Sequence, residues 1–351
     1  MGKKQNRQVV SRVEKLQTLL KKTGFEGCLI EHPTDLFYLT GLELSAGQLI
    51  ITETSTKLFV DGRYFEICKK EASFEVETSS VKALEASVKP LSSLLIDAEN
   101  TTLSRYNALK KMFGRKLKFS DSLVKIARSI KDEKEIALLR KSAKLLWKGF
   151  QYISSKLKPG VTEEEIAKLF EIFCLKNGAE RLAFDPIIAF GENSAMPHYR
   201  AGKRVLRKGD IVLIDIGIEV DHYRSDMTRT LSCGALAPKL LEMQRVVKEA
   251  HASALKKCRA GAIISSLDKA ARKVMRSYGM EDLFVHSLGH GIGLDTHEFP
   301  RIRLGENTEL EEGMVITIEP GLYLPGLGGV RYEDTVVVTA RGFENFYPEG
   351  I

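Results

Sequence analysis

The chain has 351 residues, 43% hydrophobic and 28% charged, with a formal net charge of +7. That length suits two domains better than one core, and the composition is that of a globular chain rather than a disordered or fibrous one. No apolar run is long enough to span a bilayer, and Lys and Arg are scattered among Asp and Glu with no basic cluster interleaved with aromatics, so neither a membrane nor a nucleic acid is expected as partner.

The opening MGKKQNRQVVSRVEKLQ carries no apolar signal segment, which makes the cytoplasm the expected location. Residues 11–23 space Val13, Leu16, Leu19 and Leu20 as a helix, stopped by Gly24. GCLIEH, GQLIITE, TKLFVDG, FEVETSSV and SLLIDAE read as strands, and Ser104–Phe113 as a helix between them. This alternation predicts a compact α/β unit over residues 1–127. Residues 128–156 change character. One long amphipathic helix begins near Asp132 and is broken by Lys158-Pro159-Gly160. Thr162 then caps a second helix, with Glu165 completing a capping box and Asn177-Gly178 ending it. Strands follow at PIIAFG, DIVLIDIGIEV, YRSDMTRTLS, GMVITIEPGLYL and VRYEDTVVVT, with helices at 238–259 and 263–279. The five cysteines, Cys28, Cys68, Cys174, Cys233 and Cys258, show no CxxC spacing and read as reduced, packed thiols.

Two stretches each present a pair of acids. Asp215 sits in an apolar strand, where a carboxylate is costly unless paired or bound to a cation. Asp226 lies on the returning strand, with Glu219–Tyr223 as the expected turn. A regular hairpin makes the two aspartates direct cross-strand neighbours, about 5 Å apart. Glu319 and Glu333 repeat the pattern about a midpoint at Gly326. Carboxylates that close repel one another unless a divalent cation lies between them. Between the hairpins stands HSLGHGIGLDTHEF, with His286, His290 and His297 among glycines. Four carboxylates and an imidazole make an oxygen-rich donor set that favours Mn²⁺, Co²⁺ or Fe²⁺, and four carboxylates exceed the needs of one ion, so two bridged ions are expected.

These motifs, in this order, resemble the pita-bread metallopeptidases, the family of methionine aminopeptidase, aminopeptidase P and prolidase. Asp215, SDMTRT around Asp226, GHGIGLDTHE around His290, IEPG at Glu319 and RYED at Glu333 carry the resemblance. DLFYLTGL and LFVDGRYFE, with the junction RSIKDEKEIALLRKSAK, are similar to the creatinase-type N-terminal domain and linker of the proline-specific branch. The implied fold is α+β: a pita-bread catalytic domain over 128–351 preceded by a creatinase-like α/β domain over 1–127.

The resemblance further implies that Asp215 chelates one metal, that Asp226 and Glu333 bridge both, and that His290 and Glu319 hold the second. It makes His198 and His297 catalytic, with His297 at the scissile amide, and Glu319 a proton shuttle as well as a ligand. His286 and Arg331 would line the substrate, although Arg331 could instead pair with Glu333. His32, His222 and His251 lack motif context and read as structural. The implied activity is hydrolysis of the Xaa-Pro bond, in dipeptides or at the N-terminus of longer peptides with proline second, by a hydroxide bridging two divalent ions, most readily Mn²⁺ with Co²⁺ as the other choice. The family also implies a homodimer. Methionine aminopeptidase is opposed by the N-terminal domain. A non-catalytic pita-bread module is opposed by the presence of all five ligands.

Overall fold

A computed structural model describes residues 2–348. Contacts divide the chain into two compact units, Met1–Arg128 and Ser129–Ile351.

In the first unit, α1 (Gly2–Thr23) starts well before the periodic stretch read from the sequence. Val9, Val13, Leu16 and Leu20 form its buried stripe. Its early turns are good helix formers without apolar spacing, so periodicity alone did not report them. There follow β1 (Gly27–Ile30), α2 (Pro33–Thr40), β2 (Gln48–Thr52), β3 (Thr56–Val60), α3 (Phe65–Glu71), β4 (Glu75–Thr78), α4 (Val81–Val88), β5 (Leu94–Asp97), α5 (Leu103–Phe113), β6 (Leu117–Ser120) and α6 (Leu123–Ser129). The strands form one mixed sheet in the order β4-β3-β2-β1-β5-β6. β1 runs antiparallel to β2 but parallel to β5, which it reaches through a crossover containing helices.

The second unit opens with α7 (Glu133–Ser154) and α8 (Glu163–Lys176). Thr162 and Glu165 form the expected capping box, and Asp132 with Glu135 form a second that the sequence reading did not name. The two helices pack over a sheet of β7 (Arg181–Leu182), β8 (Ile187–Phe190), β9 (Ile211–Val220) and β10 (Tyr223–Ser232), with β9 central. α9 (Pro238–Leu255) and α10 (Ser265–Ser277) share a second core with β13 (Val315–Ile318) and β16 (Asp334–Val338). The second sheet runs β12 (Glu298–Ile302), β11 (Gly289–Gly291), β13, β16, β17 (Phe343–Asn345). A separate ladder pairs β14 (Gly321–Leu324) with β15 (Gly328–Arg331). GMVITIEPGLYL, expected as one strand, is therefore two. Pro320 has no N–H to give to a ladder, and the strand breaks at Glu319-Pro320. No helix among the described residues is long and apolar enough to cross a membrane.

Candidate metal centre

The first hairpin corrects one expectation. Asp215 faces Thr228 across the ladder, and Asp226 faces Gly217. The aspartates are diagonal neighbours on one face of the sheet, at a spacing of about 7 Å rather than about 5 Å. The cause is the turn. Asp221 and His222 both adopt positive φ, 48° and 68°, so the chain reverses in two residues instead of the five expected. This primed turn moves the partner of Asp215 two residues along, from Asp226 to Thr228.

The second hairpin keeps its expected register. β13 pairs with β16 from Val315↔Val337 to Ile318↔Asp334, and β14 with β15 from Gly321↔Arg331 to Leu324↔Gly328. Glu319 and Glu333 occupy facing positions in the gap between these ladders, at the same register.

His290 reaches this place because β11 is clamped between β12 and β13. A Cβ on Gly289 would lie 2.0 Å from Thr317 O, and one on Gly291 would lie 2.3 Å from Phe299 O, so only glycine allows the approach on either side. The His290 backbone N–H donates to Thr317 Oγ1 at 3.1 Å, and its Nδ1 lies 3.0 Å from the Gly291 carbonyl oxygen. A carbonyl only accepts, so Nδ1 carries the proton and Nε2 presents a lone pair. That lone pair lies 3.4 Å from Glu319 Oε1 and 3.7 Å from Asp226 Oδ2. Ligand atoms of Asp226, His290 and Glu333 all lie within 4.8 Å of one another.

The electrostatics are those of a site short of positive charge. Burial, then Asp215 and Glu319, push the Asp226 carboxyl well above the usual range. Burial, then Asp226, Glu319 and Asp215, do the same to Glu333. Glu319 is pushed up to about 8, first by burial. Burial and then His297 hold His290 down to about 3. Asp215 Oδ1, Asp226 Oδ1 and Glu333 Oε1 are buried and accept no hydrogen bond. Buried carboxylate oxygens with no donor, facing a neutral imidazole lone pair, are the donor set of a hard divalent cation, and such ions fit these residues.

The remaining predicted residues surround this cluster. Arg331 is buried and pairs with Asp215, not with Glu333. It also donates to Thr228 Oγ1 at 3.1 Å and to Tyr323 Oη at 2.6 Å. His286 is half-buried, with Nδ1 2.7 Å from the Ser287 carbonyl and Nε2 2.8 Å from Tyr323 Oη. Since Nδ1 carries its proton, the Tyr323 hydroxyl donates to Nε2. His297 is exposed, its ring 4.3 Å from that of His290 in an edge arrangement. His198 is exposed too, near enough for its charge to lower the pKa of His286 and His297. Of the histidines read as structural, His251 is buried edge-on to Tyr332, and His222 forms the tight turn.

Sequence reasoning passed over Thr228 and Tyr323. Thr228 Oγ1 donates to Glu333 Oε2 at 2.7 Å while accepting from Arg331. Recognising Asp221-His222 as a two-residue turn would have exposed Thr228 as the partner of Asp215. Tyr323 gave no comparable signal. The first unit holds a cavity of about 470 Å³ lined by Glu31, His32, Asp35 and Arg105 among others, and none of the predicted site residues lines it.

A two-layer catalytic unit with clustered acids and a histidine defines a metal-dependent hydrolase class, and the comparisons name it. Residues 137–340 match Metallopeptidase family M24, and residues 12–130 match the Creatinase/Prolidase N-terminal domain; the chain belongs to this family. It is 36% identical to an Xaa-Pro dipeptidase of Pyrococcus furiosus over 333 residues, covering 94% of this chain and 96% of the relative. The solved Xaa-Pro dipeptidase from Bacillus anthracis superposes with a TM-score of 0.93 at 33% identity, over 98% of this chain and 99% of that one. An X-Pro aminopeptidase from Thermotoga maritima superposes at 0.84 with 35% identity, over 93% and 97% of the two chains.

Proposed function

We propose that the chain hydrolyses Xaa-Pro dipeptides at a dinuclear centre formed by Asp215, Asp226, His290, Glu319 and Glu333, with Asp226 and Glu333 shared between the ions. The observation that carries this reading is the set of three buried carboxylate oxygens, on Asp215, Asp226 and Glu333, that accept nothing from the protein. Two divalent cations held there would supply a hydroxide nucleophile at neutral pH and polarise the scissile carbonyl. Mn²⁺ is the ion the oxygen-rich set favours.

The chain's own groups do the rest. Glu319 would take a proton from the nucleophile and pass it to the departing proline nitrogen. His297, exposed beside His290, would donate a hydrogen bond to the developing oxyanion. His198, close enough to act on His286 and His297, would cover the substrate. Arg331, held by Tyr323 and Thr228, orients Asp215, and His286 fixes the Tyr323 hydroxyl. The catalytic domain is assigned to residues 128–351 and the creatinase-like domain to 1–127. A homodimer is proposed on the family resemblance alone.

A second reading, removal of the first residue from longer peptides, is favoured by the likeness to the X-Pro aminopeptidase. Hydrolysis of an Xaa-Pro dipeptide, an Xaa-Pro-Xaa tripeptide and an Xaa-Ala dipeptide, each with Mn²⁺, separates the readings. Cleavage of the Xaa-Pro dipeptide is expected. Cleavage of the tripeptide alone would establish the second reading, and cleavage of Xaa-Ala alone would end the proline assignment.

A further inference from the structure

The junction RSIKDEKEI takes no part in metal binding, yet it sends a buried cation to the histidine loop. Lys131 precedes α7. Its side chain is 1% exposed, and its Nζ lies 2.9 Å from Glu298 Oε2, itself 4% exposed. The Lys131 backbone is fixed as well. Its N–H donates to Gly313 O at 2.9 Å, and Ile130 bridges to Met314 beside β13.

Glu298 is the first residue of β12 and follows His297 directly. Its Oε1 accepts the Asp295 N–H at 3.1 Å. Its carboxylate packs on Gly293, where a Cβ would come within 2.6 Å. One carboxylate thus closes the segment 293–298 on itself, and Lys131 holds the carboxylate. Arg224 ties the other side, through its N–H to Gly293 O at 2.8 Å and its guanidinium to Thr296 Oγ1 at 3.2 Å. His297 is exposed, so its direction depends on this backbone. A buried ion pair adds little to stability compared with apolar residues of like volume, so its main effect here is geometric.

We propose that Lys131 is a positioning residue, which through Glu298 fixes the loop from which His297 meets the substrate. The proposal rests on the reading of His297 given above. The test is a double-mutant cycle of Lys131→Met and His297→Ala in the metal-loaded enzyme, reading kcat, KM and metal content with an Xaa-Pro dipeptide. In the wild-type background Lys131→Met is expected to lower kcat about tenfold to a hundredfold, with KM and metal content unchanged. In the His297→Ala background the further loss is expected to stay below about twofold. Equal losses in both backgrounds would make Lys131 merely structural and overturn the proposal, as would no loss in the first. If Lys131→Met does not fold, Lys131→Met/Glu298→Gln also removes the buried negative charge and enters the same cycle. Full activity in His297→Ala would instead overturn the reading of His297, a result distinguishable from the others.

Discussion

Asp35 in the N-terminal unit and Asp226 in the catalytic unit are both buried aspartates, 3% and 5% exposed. Their surroundings differ in sign. Asp35 lies 2.7 Å from the guanidinium of Arg128, which opposes the upward push of burial on its carboxyl. Asp226 interacts with the acids Asp215, Glu319 and Glu333, and Arg331, the cation that opposes them, is paired with Asp215. In one unit the chain carries the positive charge its buried acid needs. In the other it leaves the need open, a deficit that a bound cation would fill.

The contrast can be broken from the N-terminal side first. Arg128→Met leaves Asp35 buried and unpaired, and should destabilise the protein by about 3–5 kcal/mol while metal content stays unchanged. Denaturant unfolding with parallel elemental analysis checks both halves; a loss of metal in this variant would mean that the two units do not differ as described.

A smaller effect sharpens the catalytic side. The Glu319 carboxyl is raised from 4.5 to about 8, so the folded, metal-free protein holds a proton that the unfolded chain releases. Its contribution is complete below pH 4.5 and is lost as pH rises through about 8. His286 and His290 are shifted the other way, from 6.5 down to about 4 and about 3, and their contributions are complete above pH 6.5. Between pH 6.5 and 8 the chelated protein should therefore lose thermal stability, and Mn²⁺ should restore it. A chelated melting temperature that is flat or rising across that window would contradict the unneutralised cluster.

The smallest effect concerns the hairpin that carries two of the acids. His222 sits at φ 68°, and His222→Gly should stabilise by about 0.5–1 kcal/mol without changing metal content. Destabilisation would mean that the side chain contributes more than the backbone strain costs.

That turn also marks where the sequence was readable and where it was not. The acids, the histidine motif, the Thr162–Glu165 capping box and the Glu319–Glu333 register follow from local chemistry that sequence displays directly. The Asp215–Asp226 register did not follow, because a symmetric midpoint ignores that Asp221 and His222 can both take the left-handed conformation. β6 and the short helices α2, α3, α4 and α6 were invisible to periodicity, since one or two turns of helix, or a four-residue strand exposed at Lys118 and Phe119, carry too few spaced apolar residues. The partner of Arg331 was also hidden. Arg331 bonds to Asp215, 116 residues away in sequence, across a contact that only the tertiary fold creates.

The most direct test of the central claim is the metal stoichiometry of exhaustively chelated protein retitrated with Mn²⁺, followed together with activity, in the wild type and in Asp226→Ala and Glu333→Ala. The account predicts two ions per chain with recovery of Xaa-Pro hydrolysis in the wild type, and loss of both ions and of activity in either variant. Full activity in the chelated protein, or in either variant, would contradict it.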